Sequence, residues 1–306
     1  LTVGAGGFLF IDKPAGPSSF AVVSAVRRAF RIKRVGHGGT LDPAASGLLA
    51  VALGSATRLL PYAPLEPKRY LFGIRFGVET DTLDSAGTTT KSGGGVPSET
   101  ALRAALPSFC GRIMQVPPDY SAVKIDGVRA YRMARAGKTP VIEPRRVEVH
   151  SLSLLAWDEG SGEARLEASC SGGTYVRSLA RDIAAMLGTF GHAHFIRRTA
   201  LGPFLVATAT PFDKCNPADA SVVSPEEVLR GVPRFAVGEE LKRRIVAGCD
   251  IPLAEAPGIG PTMGGPALAV DLDNAIVAVM EPGAAGYLHP VRVFPDGSPP
   301  LQRQKA

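Results

Sequence analysis

Three features of the 306-residue chain predict an α+β fold built on a mixed, mainly antiparallel sheet flanked by helices. Strand-like and helix-like segments are interspersed without a regular βαβ alternation, which argues against a doubly wound parallel sheet. No G-x-G-x-x-G joins the first strand to the helix after it, so a dinucleotide-binding fold is excluded. Beyond Gly231 the composition shifts to short apolar runs separated by Gly and Pro, the pattern of a small β-rich unit of about 60 residues. The length itself suits about two domains.

Residues 1–7, rich in glycine and beginning with Leu1, are expected to form a flexible tail. Phe8 to Lys13 reads as a strand, Pro14 to Pro17 as a turn, and Ser18 or Ser19 as the cap of a helix through Phe30. That helix buries Val22, Val23, Val26 and Phe30. A basic, Gly-rich loop from Arg31 to Asp42 leads to a buried strand at Leu48–Leu53 and a short helix at Ala56–Tyr62. In Arg69–Gly77, Tyr70, Phe72, Ile74 and Phe76 recur at period two, a strong strand signal. Thr88–Val96 reads as a flexible loop, Pro97–Leu106 as a helix, and Gly127–Ala136 as another.

Arg146–Trp157 and Glu163–Cys170 alternate as antiparallel strands around the turn Glu159–Gly162. Thr174–Leu187 is amphipathic, with Val176, Leu179, Ile183 and Leu187 inward and Gly188 as its stop. His194–Thr199 reads as a strand and Ser224–Glu227 as the start of a short helix. A helix over Glu239–Ala247 and strands near Ile251, Ala267–Asp271, Ile276–Met280 and Val291–Phe294 complete the β-rich unit. The expected division is 8–234 for the main domain, with a basic segment at 121–146, then 235–296 for the small one, and a disordered tail over 297–306.

A 45% hydrophobic content with 20% charged residues is enough for a sizeable core. No apolar run approaches the ~20 residues of a membrane span, and no export signal is visible at the N-terminus. A soluble cytoplasmic protein is expected. Cys110, Cys170, Cys215 and Cys249 stand apart, unlike a zinc site or a disulfide framework, and read as reduced, mostly buried thiols. The glycines at 93–95 are not followed by Gly-Lys-Ser/Thr, so they make no phosphate loop. His192 and His194 lack acidic or Cys companions nearby in sequence, and no metal site is expected.

The net charge of +6 is unevenly spread. Six basic residues lie between Lys13 and Arg34 without an acid, and the stretch from Ser121 to Arg146 nets +5, so the remainder is −5. Basic segments on a mildly acidic body are the footprint of a polyanion-binding surface. Arg27, Arg31 and Arg34 are spaced to share one helix face, as are Arg129, Arg132 and Arg135.

The segment Gly36-His37-Gly38-Gly39-Thr40-Leu41-Asp42-Pro43-Ala44-Ala45-Ser46-Gly47-Leu48-Leu49 joins the basic loop to an apolar strand. A carboxylate at the mouth of a cationic groove can act as nucleophile or general base on bound nucleic acid. On spacing alone Asp42 equally suits a turn or cap, and His37 a structural role.

This segment resembles the catalytic motif of the TruB-type tRNA pseudouridine synthases. The opening FLFIDKPAGPSS, then KRYLFGIRFGVETDTLDSAG, VPPDYSAVKIDGVRAYRMARAG, CSGGTYVRSLARDIAAMLG and FIRRTALGPF are similar to that family's other motifs, in order from Phe8 to Phe204. Gly38 departs from the family's more frequent Thr or Ala, and agreement weakens from Lys214 to Arg234. Beyond it the chain broadly resembles the family's small RNA-binding PUA domain.

The resemblance implies a pseudouridine synthase domain followed by a PUA-like one, and isomerisation of uridine 55 in the T loop of tRNA by base flipping. It implies that Asp42 is the essential carboxylate, Tyr70 stacks on the flipped uracil, Arg177 pairs with Asp42, and Ile196 packs near the base. His37 would sit where the flipped nucleotide has left the RNA, and Lys13 would hold either RNA or the motif loop. Lys124, Arg129, Arg132 and Lys138 would grip the tRNA from the thumb at 121–146. A two-point Arg177 contact would keep Asp42 ionised. Tyr70 is a candidate for removing the C5 proton, and Asp81 and Asp84 fall near the active site or in its framework. An isomerisation requires no cofactor or metal. The expected partner is the tRNA T-arm, with no membrane, no obligatory protein partner and a monomeric state. The competing reading is a non-catalytic tRNA-binding or RNA-folding chaperone using the same basic surface.

Overall fold

The computed structural model describes residues 6–260, 264–284 and 286–295, so the expected C-terminal tail and most of the N-terminal one lie outside the described residues. The long strands of the main sheet are β1 (Gly7–Lys13), β2 (Ser46–Leu53), β3 (Lys68–Phe76), β4 (Gly111–Gln115), β5 (Arg145–Asp158), β6 (Glu163–Cys170) and β7 (Gly191–Leu201). They run in the order β1-β2-β7-β3-β6-β5-β4. Only β2 and β7 pair parallel within this series, and every other neighbour is antiparallel. The fold is therefore α+β with a mixed sheet, as the interspersed pattern implies.

Helix α1 (Ser19–Phe30) buries Val22, Val23, Val26 and Phe30, and its cap is Ser18, whose hydroxyl accepts from the Ala21 amide. Helices α2 (Glu99–Ala105), α3 (Ala130–Arg135) and α4 (Val176–Met186) follow. Leu179 and Ile183 of α4 pack into one core with Tyr70, Phe72, Ile74 and Phe76 of β3. The period-two face of β3 and the apolar stripe of α4 thus bury each other.

Several elements depart from expectation. The basic loop contains a short strand, Val35–His37, whose backbone pairs with Leu53–Val51 of β2. Ala56–Tyr62 is two 3-10 turns, Gly54–Arg58 and Leu60–Tyr62, because Pro61 has no amide to continue a helix. Thr89–Ser92 pairs with Val78–Thr80, although that stretch reads as a loop. The helix expected from Gly127 begins at Ala130, since Asp126 and Gly127 both have positive φ and turn a hairpin between Lys124–Ile125 and Val128–Arg129. Arg31 caps α1 in a left-handed conformation, so Arg31 and Arg34 do not continue the helix face of Arg27. Gly7 is already in β1, one residue into the expected tail. Cys110 and Cys249 are exposed, and only Cys170 and Cys215 are buried.

The C-terminal sheet runs Arg234–Ala236, Ala267–Val270, Ile276–Pro282, Tyr287–Val293, Ile251–Pro252, with only the first pair parallel. One of its faces, with Leu268, Val270, Ile276 and Val279, shares a core with Phe8, Phe10, Leu48 and Ala50 of the main sheet. Arg58 fastens this junction: its Nη1 donates to the Val293 carbonyl at 2.8 Å and its guanidinium lies 4.9 Å above the Phe294 ring. The chain near residue 234 is therefore followed by a packed junction, not a free linker.

Candidate active site

The loop before β2 is held from three sides. Ser19, one residue past the cap, donates to the Leu41 carbonyl and accepts from the Leu41 amide, both at 2.8 Å. Arg198 on β7 is fully buried and donates to the carbonyls of Leu48, Thr40 and Gly39 at 2.7, 3.2 and 3.2 Å. The fully buried Lys13 donates to Pro14 and Pro17 at 2.8 and 2.9 Å and reaches Pro43 at 3.4 Å. Gly47 lets β2 meet β7: a Cβ there would collide with the Arg198 backbone, and its φ is +104°. Gly38, the family departure, faces Leu60 and Leu65, whose side chains fill the space a larger residue would need.

The Lys13 ammonium is enclosed by backbone carbonyls, that of Pro43 in the Asp42 loop among them, and is fully buried. Burial pushes its titration down to about 8, with Asp42 opposing and Arg198 adding to that shift. In the unfolded chain Lys13 titrates near 10.5, so between those values the unfolded state binds more protons than the folded one. This group therefore makes the fold more stable as pH rises through that window, by up to about 3 kcal/mol. Urea unfolding of the wild type and Lys13→Met at about pH 7.5 and about pH 10 checks it. The wild type should gain on the variant at the higher pH, and parallel curves would show that Lys13 titrates normally.

Asp42 opens onto a cleft of about 240 Å³ lined also by Leu41, Lys68, Tyr70, Tyr175 and Ile196. Arg177, in the first turn of α4 and 3% exposed, donates from Nε to Asp42 Oδ2 at 2.9 Å. Its Nη1 and Nη2 donate to the carbonyls of Thr82 and Tyr120 at 2.5 and 2.9 Å, and Nε stands 3.7 Å from Asp84 Oδ2. The expected two-point contact is thus a one-point contact, because the outer nitrogens tie two other loops to the site. Asp84 is buried beside the pair, with Thr82 and the Ala86 amide donating to its Oδ1 at 2.6 and 3.0 Å.

Tyr70 and Ile196 are buried walls of the cleft, from adjacent strands β3 and β7. Burial raises the Tyr70 phenol above its usual range, and the nearby Arg198 guanidinium only offsets this. Tyr70 therefore stands ready as a neutral ring, which suits stacking better than proton abstraction. His37 lies in the wider groove that adjoins the cleft, with Nδ1 buried and without a hydrogen-bond partner among the described residues. Burial, then Arg198, lowers its titration, so its ring is neutral at pH 7.

The thumb side chains divide. Arg129, Arg132 and Arg135 line that groove with Asp42, His37 and Arg177, which fits their helical spacing. Lys138 lies instead in a separate cleft with Glu79, Asp81 and Asp119, and Lys124 is exposed but lines neither cavity. Two functional residues carry no signal of their role in the sequence: Arg198, although it falls within the FIRRTALGPF motif, and Gln115. The Gln115 amide accepts from the Tyr175 nitrogen at 2.8 Å and donates to the Tyr175 carbonyl at 3.2 Å, fixing the entry to α4 and so Arg177. Nothing in the pattern of β4 points to that role. His192 Nδ1 is 2.8 Å from the Val78 carbonyl, a structural contact.

Residues 27–176 match the family described as TruB family pseudouridylate synthase (N terminal domain). The tRNA pseudouridine synthase B of Dinoroseobacter shibae is 42% identical over 299 residues, spanning 95% of this chain and 96% of that protein. The protein of that name from Gluconacetobacter diazotrophicus is 40% identical over 297 residues, spanning 94% of this chain and 97% of its own length. A crystal structure of a Cbf5-Nop10-Gar1 complex superposes with a TM-score of 0.71 at 23% identity, over 96% of this chain and 87% of that one. An archaeal box H/ACA sRNP Nop10-Cbf5 complex gives 0.70 at 23% identity, over 97% and 89%. At that identity the likeness concerns the fold, including the C-terminal sheet, which is PUA-like.

Proposed function

The chain belongs to the TruB family of pseudouridine synthases, and from that premise and the Asp42 cleft we propose that it isomerises uridine 55 of tRNA to pseudouridine. The carrying observation is the Asp42 carboxylate, one-third exposed in a cleft sized for a nucleoside and oriented by the buried Arg177. A pure RNA binder has no use for an anion facing a polyanion. The target uridine must leave its stack to reach that depth, and the Tyr70 ring and Ile196 offer the extruded base apolar walls. His37 stands in the adjoining groove, where it would face the RNA at the vacated position.

The reaction breaks the bond from uracil N1 to the ribose, turns the base, and joins C5 to the same carbon. The product is an isomer, so neither redox cofactor nor energy source enters. Arg177 positions Asp42, and Tyr70 holds the base. The tRNA T-arm is the substrate, met in the cytoplasm, and one chain supplies Asp42, Tyr70 and Arg177, as a monomeric enzyme requires.

Incubating the protein with an unmodified tRNA transcript and mapping pseudouridine tests this reading. Product at position 55 is expected, and binding without product would make the protein a tRNA-folding factor. The groove makes a further demand. Replacing Arg129, Arg132 and Arg135 with Gln should weaken tRNA binding and reduce the slope of log affinity against log salt by about 0.7 to 0.9 for each phosphate no longer neutralised. Lys138→Gln, in its separate cleft, should leave the slope unchanged; the reverse result would move the RNA path.

A further inference from the structure

We propose that Lys68 is a catalytic residue of this isomerisation, its ammonium stabilising the negative charge that uracil acquires when its bond to ribose breaks. The inference rests on the function proposed above and adds a group to its site.

Lys68 opens β3 two residues before Tyr70, so the two side chains leave the same face of the strand, and both line the Asp42 cleft. Two glycines flank the ammonium. Its Nζ lies at ordinary contact distance, 3.6 Å, from where a Cβ on Gly39 would stand and 3.6 Å from the corresponding point on Gly172, to which the Glu66 carboxylate comes closer still. Gly39 belongs to the Asp42 loop and Gly172 to the turn that precedes α4, so the ammonium sits between the segments that carry Asp42 and Arg177.

What separates Lys68 from its neighbours is its lack of close partners. Lys13 and Arg198 each donate to three backbone carbonyls, with Arg198 also bonded to the Tyr70 phenol, and Arg177 donates to Asp42 and two carbonyls. Lys68 makes no hydrogen bond or ion pair among the described residues; Glu66 and Cys170 act on it only through space. Burial, reinforced by Arg198, lowers its titration. A half-buried cation with open donors facing a cleft is costly unless a ligand completes it.

The chemistry supplies such a ligand. When the C1′–N1 bond breaks, its electron pair goes to the base, and the resulting uracil anion spreads its charge over N1, O2 and O4. C5 then bonds to C1′, the C5 proton passes to a base and N1 takes up a proton, which restores a neutral isomer. If the Asp42 carboxylate first adds to the ring, the displaced pair goes to O4 as an enolate. Either route places charge on a carbonyl oxygen of the base within the cleft, where a fixed donor acts more strongly than in open water.

Lys68→Met and Lys68→Gln should slow single-turnover isomerisation at saturating tRNA by roughly 10²- to 10³-fold, the effect of removing one such donor. Circular dichroism and thermal unfolding should show both variants folded, with tRNA affinity and its salt slope unchanged. A second substrate reads the charge directly. Fluorine on C5 of the target uracil makes its anion more stable, so the deficit of each variant, measured as cleavage of the N1 linkage, should shrink at least about tenfold. Equal deficits on both substrates, or an effect confined to affinity with a salt slope lower by about 0.7 to 0.9, would overturn the proposal and make Lys68 a framework or phosphate-binding group. The wild type is the control: its failure to form pseudouridine would defeat the functional reading itself.

Discussion

Asp42→Asn is expected to bind tRNA about as well as the wild type while single-turnover isomerisation falls at least about 10³-fold, which is about 4 kcal/mol of barrier. The variant keeps the size of the side chain, and its amide oxygen can still accept from Arg177 Nε, now 2.9 Å from Asp42 Oδ2. Leu41 remains clamped by Ser19, and Arg198 still holds Thr40, so the loop has no reason to move. Thermal unfolding close to that of the wild type, together with the reduced rate, would assign the effect to the carboxylate charge. A near-normal single-turnover rate would remove Asp42 from the chemistry.

Arg177→Met should be the most damaging framework change. It removes the partner of Asp42 and leaves the Thr82 and Tyr120 carbonyls without their donors, beside a buried Asp84. Breaking a buried ion pair from one side costs about 3 to 5 kcal/mol. Urea unfolding should register a destabilisation of that size, and turnover should fall with it. Arg177→Lys should recover only a fraction, since one ammonium cannot span three acceptors held by separate segments. Unfolding free energies for Met and Lys variants within about 0.5 kcal/mol of the wild type would show that the network contributes nothing to the fold.

Much of this is legible in the chain. The period-two run from Tyr70 to Phe76 and the stripe on α4 report which face each element buries, because burial is a local property of a regular backbone. Ser18 as a cap follows from its position before an apolar period. The Asp126-Gly127 hairpin is equally visible in residue type, yet it reads as part of a helix, since the apolar and basic spacing after it continues into α3. The strand β4 is not legible, because its side chains are mostly exposed and carry no alternation.

The residue types of the site are thus determined by the sequence itself: a carboxylate in a glycine-rich loop, an aromatic on a strand beside basic residues, an arginine at the start of an amphipathic helix. Their partnerships are decided only by the tertiary structure. Asp42 and Arg177 lie 135 residues apart, and no periodicity says whether a buried guanidinium meets a carboxylate at two points or at one while tying two loops with its other nitrogens. The same holds for Lys13, Lys68 and Arg198, three cations within one site. Two are enclosed by carbonyls and one faces the cleft, a distinction set by how the strands and the Asp42 loop pack. Side-chain pattern encodes burial along one element, whereas the destination of a buried charge depends on backbone groups brought in from distant parts of the chain.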